Sequence, residues 1–378
     1  MKVLILSCNT GGGHNAAGKA MEQALKERGH DAVFLDYLTL SGERVSQMVG
    51  GCYVNMVKYV PWLFGGIYQL GLSVSKLLHG HKSPVYYANA LMAKKLGSYI
   101  EENCIDAVLM PHLYPAETLT YLKKHGARLP ILVAIGTDYT CIPFWEETDC
   151  DCMILPGEDL IEEFADRGIP REKLYPLGIP VSPDFLRAKQ KDREELRRRA
   201  GIAPDEKVYL VMGGSMGFGK MELFVKKLCR QCQPGERVIV ICGNNKALGK
   251  RLARSLKGCT NVKILGYTTH VAEYMAISDV VYTKPGGLTT TEVAVMEKPL
   301  IHTAPIPGCE TCNARYFAEK GMSCSVKSIG KGIEQGTALM HSDLKRQKMK
   351  RQQKKYINSH AAEDICILLE TLYAEQKQ

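Results

Sequence analysis

Short apolar runs alternate with amphipathic stretches along almost the whole chain. Runs rich in Val, Ile and Leu, bounded by glycine or polar residues, predict buried parallel strands. In the first half these are Val3–Ser7, Ala32–Asp36, Ala107–Met110, Ile131–Ile135 and Cys152–Leu155. In the second half they are Val208–Met212, Val238–Cys242, Val262–Leu265, Val280–Thr283, Leu300–Thr303 and Cys324–Val326.

Helical patterns separate the predicted strands. The clearest is Asn15–Arg28, which Gly29 closes, and Ala361–Tyr373 predicts a last amphipathic helix. Alternation of strands and helices predicts α/β domains with doubly wound parallel sheets, and here it predicts two of them. The proline-rich segment 176–183 is the expected boundary between them.

Length and composition fit two globular domains. At about 100–200 residues per domain, 378 residues predict two. The 45% of hydrophobic and 24% of charged residues exclude a disordered, collagenous or coiled-coil protein. The net charge of +9 comes from residues 181–378, where 33 Lys and Arg oppose 20 Asp and Glu. A basic second half suits an anionic ligand or surface.

Targeting and metal signals are weak. The 14 cysteines have no regular spacing, and the chain starts on a predicted strand rather than a signal peptide, so we expect a cytoplasmic protein with reduced thiols. The pairs Cys229/Cys232 and Cys309/Cys312 each lack a second pair nearby, and no metal site is expected. The longest uncharged run, Tyr59–Ser75, is broken by Pro61 and glycines and is too short to span a membrane.

A glycine-rich loop follows the first predicted strand. Residues 9–14 read Asn-Thr-Gly-Gly-Gly-His and lead directly into a helix, where a tight turn and free N–H groups favour a ligand. The dinucleotide fingerprint G-x-G-x-x-G is not met, because residue 16 is Ala. His14, at the mouth of the sheet, can take a proton from an attacking hydroxyl. The alternative is a histidine that only caps the helix.

A second glycine loop, Gly213–Lys220, contains the G-x-x-x-x-G-K frame of a phosphate-binding loop. The next residue is Met221, where such a loop needs a Ser or Thr for magnesium, so the pattern disfavours a P-loop kinase. A glycine loop that contacts a diphosphate without a metal stays possible.

The third motif is the strongest. The strand Val280–Thr283 ends in Lys-Pro-Gly-Gly, and a helix is predicted to begin near Thr289. The N–H groups and dipole of such a helix start favour a pyrophosphate. Glu292 lies one turn in, where a carboxylate can accept both hydroxyls of a ribose; a capping box with Thr289 is the alternative. The proline-rich loop 305–313 opens another helix at the same rim.

Together these motifs resemble one glycosyltransferase group. The Gly-Gly-Gly-His loop, the pair Thr137-Asp138, the run Ser278–Glu292 and the sequel Pro307–Asn313 look like the monogalactosyldiacylglycerol synthase and processive diacylglycerol glucosyltransferase group of glycosyltransferase family 28. The likeness runs in the same order from residue 3 to about residue 340. Each motif alone is common, but the combination is specific.

The resemblance implies a GT-B fold, in which two Rossmann-like domains face a central cleft. Residues 1–180 would bind the acceptor, with a membrane-facing insert at 39–104, and residues 185–355 would bind the UDP-sugar. Residues 356–378 would form a helix that packs back on the first domain. The implied reaction is an inverting transfer of a hexose from a UDP-sugar to the hydroxyl of diacylglycerol, without a metal or another cofactor.

The resemblance also implies the site residues. His14 corresponds to the catalytic base, and Asp138 is the second catalytic candidate. The residues expected to bind the donor are Gly13, Gly214, Ser215, Met216, Tyr267, Pro285, Gly286, Gly287, Leu288, Thr289, Glu292, Glu310 and Asn313. Those expected on the acceptor and membrane side are Trp62, Phe64, Lys58, His112 and Trp145.

Two positions depart from the family pattern, and three other functions compete. Cys309 stands where the family commonly has a Gln that bonds a sugar hydroxyl, and Ile142 stands where it tends to have a His. The same fold and donor would also serve transfer of N-acetylglucosamine to a lipid-linked peptidoglycan precursor. A membrane-binding protein that senses a nucleotide-sugar would keep the glycine loops without needing His14. A Rossmann dehydrogenase lacks its fingerprint here.

The insert predicts membrane contact. Between Arg44 and Ile100 there is no acidic residue, and basic residues are interleaved with aromatic ones. Such a segment can lie on an anionic bilayer without crossing it, and each Lys or Arg near the surface contributes about 1 kcal/mol. We therefore expect peripheral association with the inner face of the cell membrane. The alternative is that the aromatic residues fill a core under a helical lid.

Overall fold

The computed structural model describes residues 1–9, 12–77, 81–213, 220–326 and 328–377, without the side chains of residues 53, 54, 57–59, 61, 64 and 76. Its strands are β1 Lys2–Ser7, β2 Asp31–Asp36, β3 Ala107–Met110, β4 Ile131–Ile135, β5 Cys152–Ile154, β6 Leu174–Tyr175, β7 Lys207–Met212, β8 Glu236–Ile241, β9 Val262–Leu265, β10 Val280–Thr283, β11 Leu300–His302 and β12 Cys324–Ser325.

The helices lie between these strands. In the first half they are α1 Gly12–Glu27, α2 Glu43–Tyr59, α3 Pro61–Leu77, α4 Pro84–Ala90, α5 Ala93–Glu102, α6 Leu113–Lys124, α7 Ile161–Asp166, α8 Pro183–Gln190 and α9 Arg193–Ala200. In the second half they are α10 Met221–Gln231, α11 Lys246–Ser255, α12 Val271–Ile277, α13 Gly287–Val295, α14 Cys309–Glu319, α15 Ile329–Met340, α16 Asp343–Tyr356 and α17 Ala361–Gln376.

The strands form two six-stranded parallel sheets. The order is β2-β1-β3-β4-β5-β6 in the first and β12-β11-β10-β7-β8-β9 in the second. The strands are short and apolar on both faces because helices cover both sides of a doubly wound sheet. All eleven predicted strands are confirmed, whereas β6 was missed, since two residues are too few to show a pattern.

The chain divides into two compact units. One comprises Met1–Pro183, Pro307–Cys309 and His360–Gln378, and the other comprises Asp184–Ile306 and Glu310–Ser359. The last helix, α17, belongs to the first unit. Its residues Ile365, Cys366 and Leu369 are buried against Met21 and Leu25 of α1.

Charged groups hold the same helix at its surface. The Glu370 carboxylate accepts hydrogen bonds from Arg28 at 2.7 and 2.9 Å and lies 2.8 Å from Nε2 of His30. The Arg28 guanidinium lowers the pKa of Glu370 to about 2, and His30 adds to the effect. The pair is partly exposed, so most of the docking free energy comes from the apolar contacts.

Two helix starts differ from expectation. Helix α1 begins at Gly12 rather than Asn15, so His14 lies inside its first turn. Helix α13 begins at Gly287 with Gly286 as its N-cap, rather than near Thr289. The capping box between Thr289 and Glu292 is therefore wrong. In the described part of the chain, no helix is both long and apolar enough to cross a bilayer.

Candidate active site

Each sheet reverses its strand order once, between β1 and β3 in the first and between β7 and β10 in the second. Ligands of open α/β sheets bind outside the carboxyl ends of the strands at such a reversal, because the loops on its two sides diverge and leave a crevice. The loops after these four strands are therefore the expected places for binding sites. Both clusters described below lie there.

Three neighbouring strands position His14 in the first unit. Ser7, at the end of β1, donates a 2.6 Å hydrogen bond to Oδ1 of Asn15 and so holds the start of α1. Nδ1 of His14 lies 2.8 Å from the carbonyl oxygen of Pro111, which follows β3. It also lies 2.8 Å from Oγ1 of Thr137, which follows β4. The imidazole is thereby fixed at the carboxyl edge of the sheet.

These contacts determine which nitrogen of neutral His14 carries the proton. A carbonyl oxygen can only accept a hydrogen bond, so Nδ1 must be protonated and donate to Pro111. The lone pair is then on Nε2, which has no hydrogen-bond partner among the described residues. A half-buried imidazole with a free lone pair and a fixed orientation is suited to general-base chemistry.

His112 packs edge-on against His14, with 4.8 Å between the ring centres. It caps α6, and its Nδ1 accepts a 3.3 Å hydrogen bond from the backbone N–H of Tyr114. Burial, and secondarily the charge of His14, lowers the pKa of His112 well below its usual value. His112 is therefore a neutral neighbour that adds no repulsive charge when His14 takes up a proton.

A cavity of about 280 Å³ opens beside His14, entirely within the first unit. Its wall includes the predicted residues His112, Asp138 and Trp145 as well as Ile142. The rest of the wall is largely apolar and is contributed in part by Ile67, Tyr68, Gly71, Val85, Pro143 and Phe144. The structure thus brings four of the predicted residues together around a pocket that suits an apolar substrate with a hydroxyl group.

Helix α3 also carries exposed apolar side chains. Trp62 is 73% exposed and Leu70 is 63% exposed, whereas Tyr86 on α4 is only 3% exposed. Other large exposed apolar residues of the insert are Met48, Leu63, Ile67, Leu77, Tyr87 and Leu91. The aromatic residues therefore do not all fill a core. The side chains of Lys58 and Phe64 lie outside the described residues.

In the second unit, the strongest sequence motif forms the start of α13. The chain leaves β10, passes Lys284 and Pro285, and enters the helix at Gly287. Gly286 is the N-cap and makes no side-chain cap, so the first N–H groups of α13 stay available to an anion. Leu288 is buried and anchors the turn. The predicted residues 285–289 are thus brought together at the strand reversal.

Glu292 lies in the second turn of α13. Its carboxyl group makes no hydrogen bond or ion pair with a described residue. Although its side chain is partly exposed, protein atoms surround the carboxyl group, and this desolvation raises the pKa of Glu292 to about 8. An unpaired carboxyl of this kind gains a partner when hydroxyl groups of a ligand reach it.

Glu310 and Asn313 hold the loop before α13 in place. Glu310 accepts a hydrogen bond from Lys284 with one carboxylate oxygen and from the N–H of Ile306, at 2.9 Å, with the other. Asn313 is fully buried and donates a 3.1 Å hydrogen bond to the carbonyl oxygen of Pro285. The two side chains therefore hold the backbone of the loop before α13 in place.

A buried histidine of the neighbouring strand β11, His302, contacts α13. His302, on β11, lies 3.2 Å from Oγ1 of Thr290 through Nε2 and 3.1 Å from Oγ of Ser323 through Nδ1. Burial lowers the pKa of His302 to about 3, so the ring is neutral at physiological pH. Sequence reasoning missed this residue. Its only signal was a polar side chain at the end of an apolar strand.

Of the remaining predicted donor residues, the structure describes Gly13 and Tyr267. Gly13 lies in the first unit, beside His14. Tyr267 is 72% exposed after β9, an edge strand that is three strands, or about 14 Å, from β10. Gly214, Ser215 and Met216 lie outside the described residues, in the segment that follows β7. In the described ranges, no three His, Cys, Asp or Glu side chains are grouped as metal ligands.

Sequence reasoning also underestimated Pro111, Thr137 and Lys284. The first two orient His14, and the third pairs with Glu310. Each directly follows a strand or comes within two residues of its end. Position at the carboxyl end of a predicted strand is the signal that could have identified them.

Two doubly wound sheets, each with a candidate site at its carboxyl edge, are characteristic of the GT-B class of nucleotide-sugar enzymes. Solved structures of this class match nearly the whole chain. MurG from Acinetobacter baumannii has a TM-score of 0.62 at 15% identity, over 98% of this chain and 99% of that one. The UDP-GlcNAc 2-epimerase of Neisseria meningitidis, bound to UDP-GlcNAc, has the same TM-score, identity and coverages. These likenesses show the fold alone.

Sequence comparison identifies the family. Residues 14–181 match the monogalactosyldiacylglycerol (MGDG) synthase model, and residues 208–365 match the glycosyltransferase family 28 C-terminal domain. The processive diacylglycerol beta-glucosyltransferase of Staphylococcus saprophyticus is 30% identical, over 91% of this chain and 86% of that protein. A Bacillus cereus protein of the same name is 26% identical, over 100% and 95%. The chain belongs to this family of diacylglycerol glycosyltransferases.

Proposed function

We propose that the protein transfers a hexose from a UDP-sugar to the hydroxyl of diacylglycerol, with inversion at the anomeric carbon. The observation that carries the proposal is the apolar cavity of the first unit, which has the oriented imidazole of His14 in its wall. The relatives named above carry this activity in their names. Likeness to MurG, by contrast, extends only to the fold, so transfer to a peptidoglycan precursor is the less supported alternative.

In the proposed reaction, Nε2 of His14 takes the proton of the lipid hydroxyl as the oxygen attacks the anomeric carbon. The bond from that carbon to the diphosphate oxygen breaks, and UDP leaves with the electron pair. Attack opposite to the leaving group inverts the configuration. Thr137 and Pro111 keep Nδ1 protonated, and the neutral His112 leaves the imidazolium unopposed by a second positive charge. A base held in this way contributes about 10²–10⁴-fold to the rate.

The start of α13 is proposed to bind the diphosphate of the donor, and Glu292 to accept the ribose hydroxyls. The available N–H groups and the helix dipole compensate the charge of the leaving UDP. Because the protein itself supplies this compensation, we propose that the reaction needs neither a divalent metal nor another cofactor. Activity that is lost in EDTA and restored by manganese would contradict this part of the proposal.

The exposed apolar side chains of α3 are proposed to dock the protein on the inner face of the cell membrane. Diacylglycerol resides in the bilayer, and Ile67 contributes both to the exposed surface and to the wall of the cavity. The exposed surface and the cavity are therefore continuous at this residue. The basic residues of the insert suit an anionic surface.

The reaction is tested by offering UDP-glucose, UDP-galactose and UDP-N-acetylglucosamine with diacylglycerol in detergent micelles and measuring the products by mass. We expect a hexosyl diacylglycerol from one of the first two donors. Transfer of N-acetylglucosamine alone, or UDP binding without any transfer to the lipid, would reject the proposal.

Membrane docking is tested by flotation with liposomes that contain or lack anionic lipid. Trp62→Ser and Leu70→Ser each remove apolar area that would enter the bilayer, and at about 25 cal/mol per Å² we expect each to weaken binding about tenfold or more. Leu223→Ser, an exposed apolar residue of the second unit, is the matched control. If all three variants float like the wild type, α3 is not the docking surface.

A further inference from the structure

A second cavity, of about 270 Å³, lies at the opposite edge of the first sheet. Its wall is formed where α6 ends, where β5 begins and where the chain enters β6. We call it the lysine cavity, because the side chains of Lys82, Lys124 and Lys173 line it together with Asp149. Since β5 runs from this edge towards the other, the cavity is separate from the pocket beside His14.

Positive charge is in excess around the lysine cavity. Asp149 is compensated by Lys173, at 2.7 Å, and by Lys123, at 3.6 Å. Lys123 also pairs with Asp151 at 3.1 Å. Asp149 and Asp151 therefore have ion-pair partners other than Lys82 and Lys124. Lys82 and Lys124 also line the cavity.

Lys82 reaches the cavity from the link between α3 and α4. Its ammonium group donates a hydrogen bond to the backbone oxygen of Glu147 and lies 5.1 Å from the ring centre of Tyr86. The carboxyl groups of Glu147 and Glu117 attract it, but burial raises the pKa of both, to about 8 for Glu117. The negative charge of Glu117 is correspondingly weak at neutral pH.

Lys124 lies next to Lys82 in the wall of the cavity. Partial burial and the neighbouring ammonium group of Lys124 lower the pKa of Lys82 to about 8. Two ammonium groups held this close repel each other, and Asp149, which also lines the cavity, is already paired with Lys173 and Lys123. An anion that contacts both ammonium groups would offset the repulsion with two charge-assisted hydrogen bonds.

We propose that the lysine cavity binds a phosphate group. Lys82 and Lys124 would contact the phosphate directly. Lys173, which is paired with Asp149, would add a further positive charge to the wall. Lysine binds phosphate as a point charge, so three converging ammonium groups suit a phosphate, which presents several charged oxygens. The cavity has room for a phosphate that carries a small organic group, and both free phosphate and the headgroup of a phospholipid have this chemistry.

Occupancy of the cavity would also act on the chain next to the candidate active site. Lys82 precedes α4, and Val85 in the first turn of α4 lines the pocket beside His14. Ser83, between them, caps α4 and donates its N–H to Glu147 at 2.9 Å. A phosphate that relieves the repulsion of Lys82 would therefore stabilise the start of α4.

The test uses the full chain with excess UDP, so that the anion site at α13 is occupied. Inorganic phosphate is titrated into the wild type and into Lys124→Gln, a change at an exposed side chain that should not affect folding, with heat of binding and unfolding temperature as readouts. Lys95→Gln, an exposed lysine of α5 with the same charge change, is the control. A second arm replaces phosphate by phosphatidylcholine vesicles with or without phosphatidylglycerol.

We expect Lys124→Gln to weaken phosphate binding at least tenfold and Lys95→Gln to leave it unchanged. Without phosphate, Lys124→Gln should unfold at a higher temperature than the wild type, because the repulsion is gone, and added phosphate should cancel this difference. Loss of vesicle binding in Lys124→Gln alone, together with displacement by free phosphate, assigns the site to a lipid headgroup, whereas phosphate binding without a vesicle effect assigns it to a soluble phosphate. Equal phosphate binding by all three proteins would overturn the proposal.

Discussion

The carboxyl edges of the two sheets present different chemical groups. At the first edge, a side chain is the proposed reactive group: His14 is oriented by Pro111 and Thr137 beside an apolar cavity. At the second edge, the backbone of α13 presents its N–H groups, and side chains such as Glu310 and Asn313 hold that backbone. The same doubly wound topology is thus proposed to serve an uncharged substrate at one edge and an anion at the other.

The difference follows from the charge of each proposed ligand. A diphosphate needs several donors at fixed positions, and a helix start supplies them without extra ordering of side chains. A hydroxyl group in an apolar pocket needs only one base, but that base must have the right tautomer and a dry neighbourhood. Changes at the two edges should therefore affect different kinetic constants, and the predictions below test this separation.

The largest effect is expected at His14. His14→Ala should lower kcat by about 10²–10⁴-fold, or roughly 3–5 kcal/mol of barrier, because the proposed base is removed. UDP affinity, measured by calorimetry, should stay within about twofold of the wild type if the two edges act separately. If the alanine variant keeps most of its turnover, His14 is not the base, and Asp138 becomes the candidate.

The next effect is expected at Glu292. Above pH 8, where its carboxyl group is ionised, Glu292→Gln should weaken UDP binding by about tenfold to a hundredfold, because hydrogen bonds to a charged acceptor contribute about 1.5–3 kcal/mol. The wild-type affinity should rise with pH up to about 8, where Glu292 ionises, and then level off. The variant should show no such rise, and its kcat at saturating donor should change little. A pH profile that is the same in both proteins would contradict the assignment.

The same substitution should stabilise the protein without ligand. Since the pKa of Glu292 is raised in the folded state, its contribution favours the folded protein only near and below its ordinary value of 4.5 and is lost as the pH rises towards 8. Above that range, Glu292→Gln should raise the unfolding temperature by a few degrees, measured by calorimetry at high pH. At pH 4 the two proteins should unfold together.

A smaller effect on the first edge is expected from Gly50. A Cβ at this position of α2 would overlap the carbonyl oxygen of Asn9, in the loop that leads into α1. Gly50→Ala should therefore move the loop or the helix, at about 1–3 kcal/mol, and lower kcat without changing UDP affinity. Gly51→Ala, whose Cβ would meet nothing, is the matched control. Equal activity of the two variants would show that α2 does not support the loop.

The smallest effect is expected where β10 of the second sheet packs against α15. Among the described residues, the buried hydroxyl of Tyr282 on β10 has no hydrogen-bond partner, and a Cβ on Gly336 of α15 would overlap it. Tyr282→Phe should raise the free energy of unfolding by about 1 kcal/mol, because an unsatisfied buried hydroxyl is removed. Gly336→Ala should destabilise the protein, and less so in the Tyr282→Phe background. Additive effects in denaturant titrations would contradict this packing.

Much of the fold could be predicted from the sequence, because buried parallel strands are apolar on both faces and stand out as short runs. The strands β3, β4, β9 and β10 have the same bounds in the prediction and in the structure. The strand β6 was not predicted, because pairing with β5 defines it and its own two residues show no pattern. The helix starts at Gly12 and Gly287 were not predicted, because glycine has a low helix propensity.

The sequence by itself determined the two α/β units, the family resemblance and the residue types of both sites. Only the tertiary structure decided how those residues work together. The carbonyl oxygen of Pro111 selects the tautomer of His14, the protein around Glu292 raises its pKa, and the neighbouring side chains of Lys82 and Lys124 line one cavity. These properties depend on groups 42 to 97 residues apart in the chain, or on burial. Motifs are local in sequence, whereas hydrogen bonding, desolvation and charge balance are set by neighbours in space.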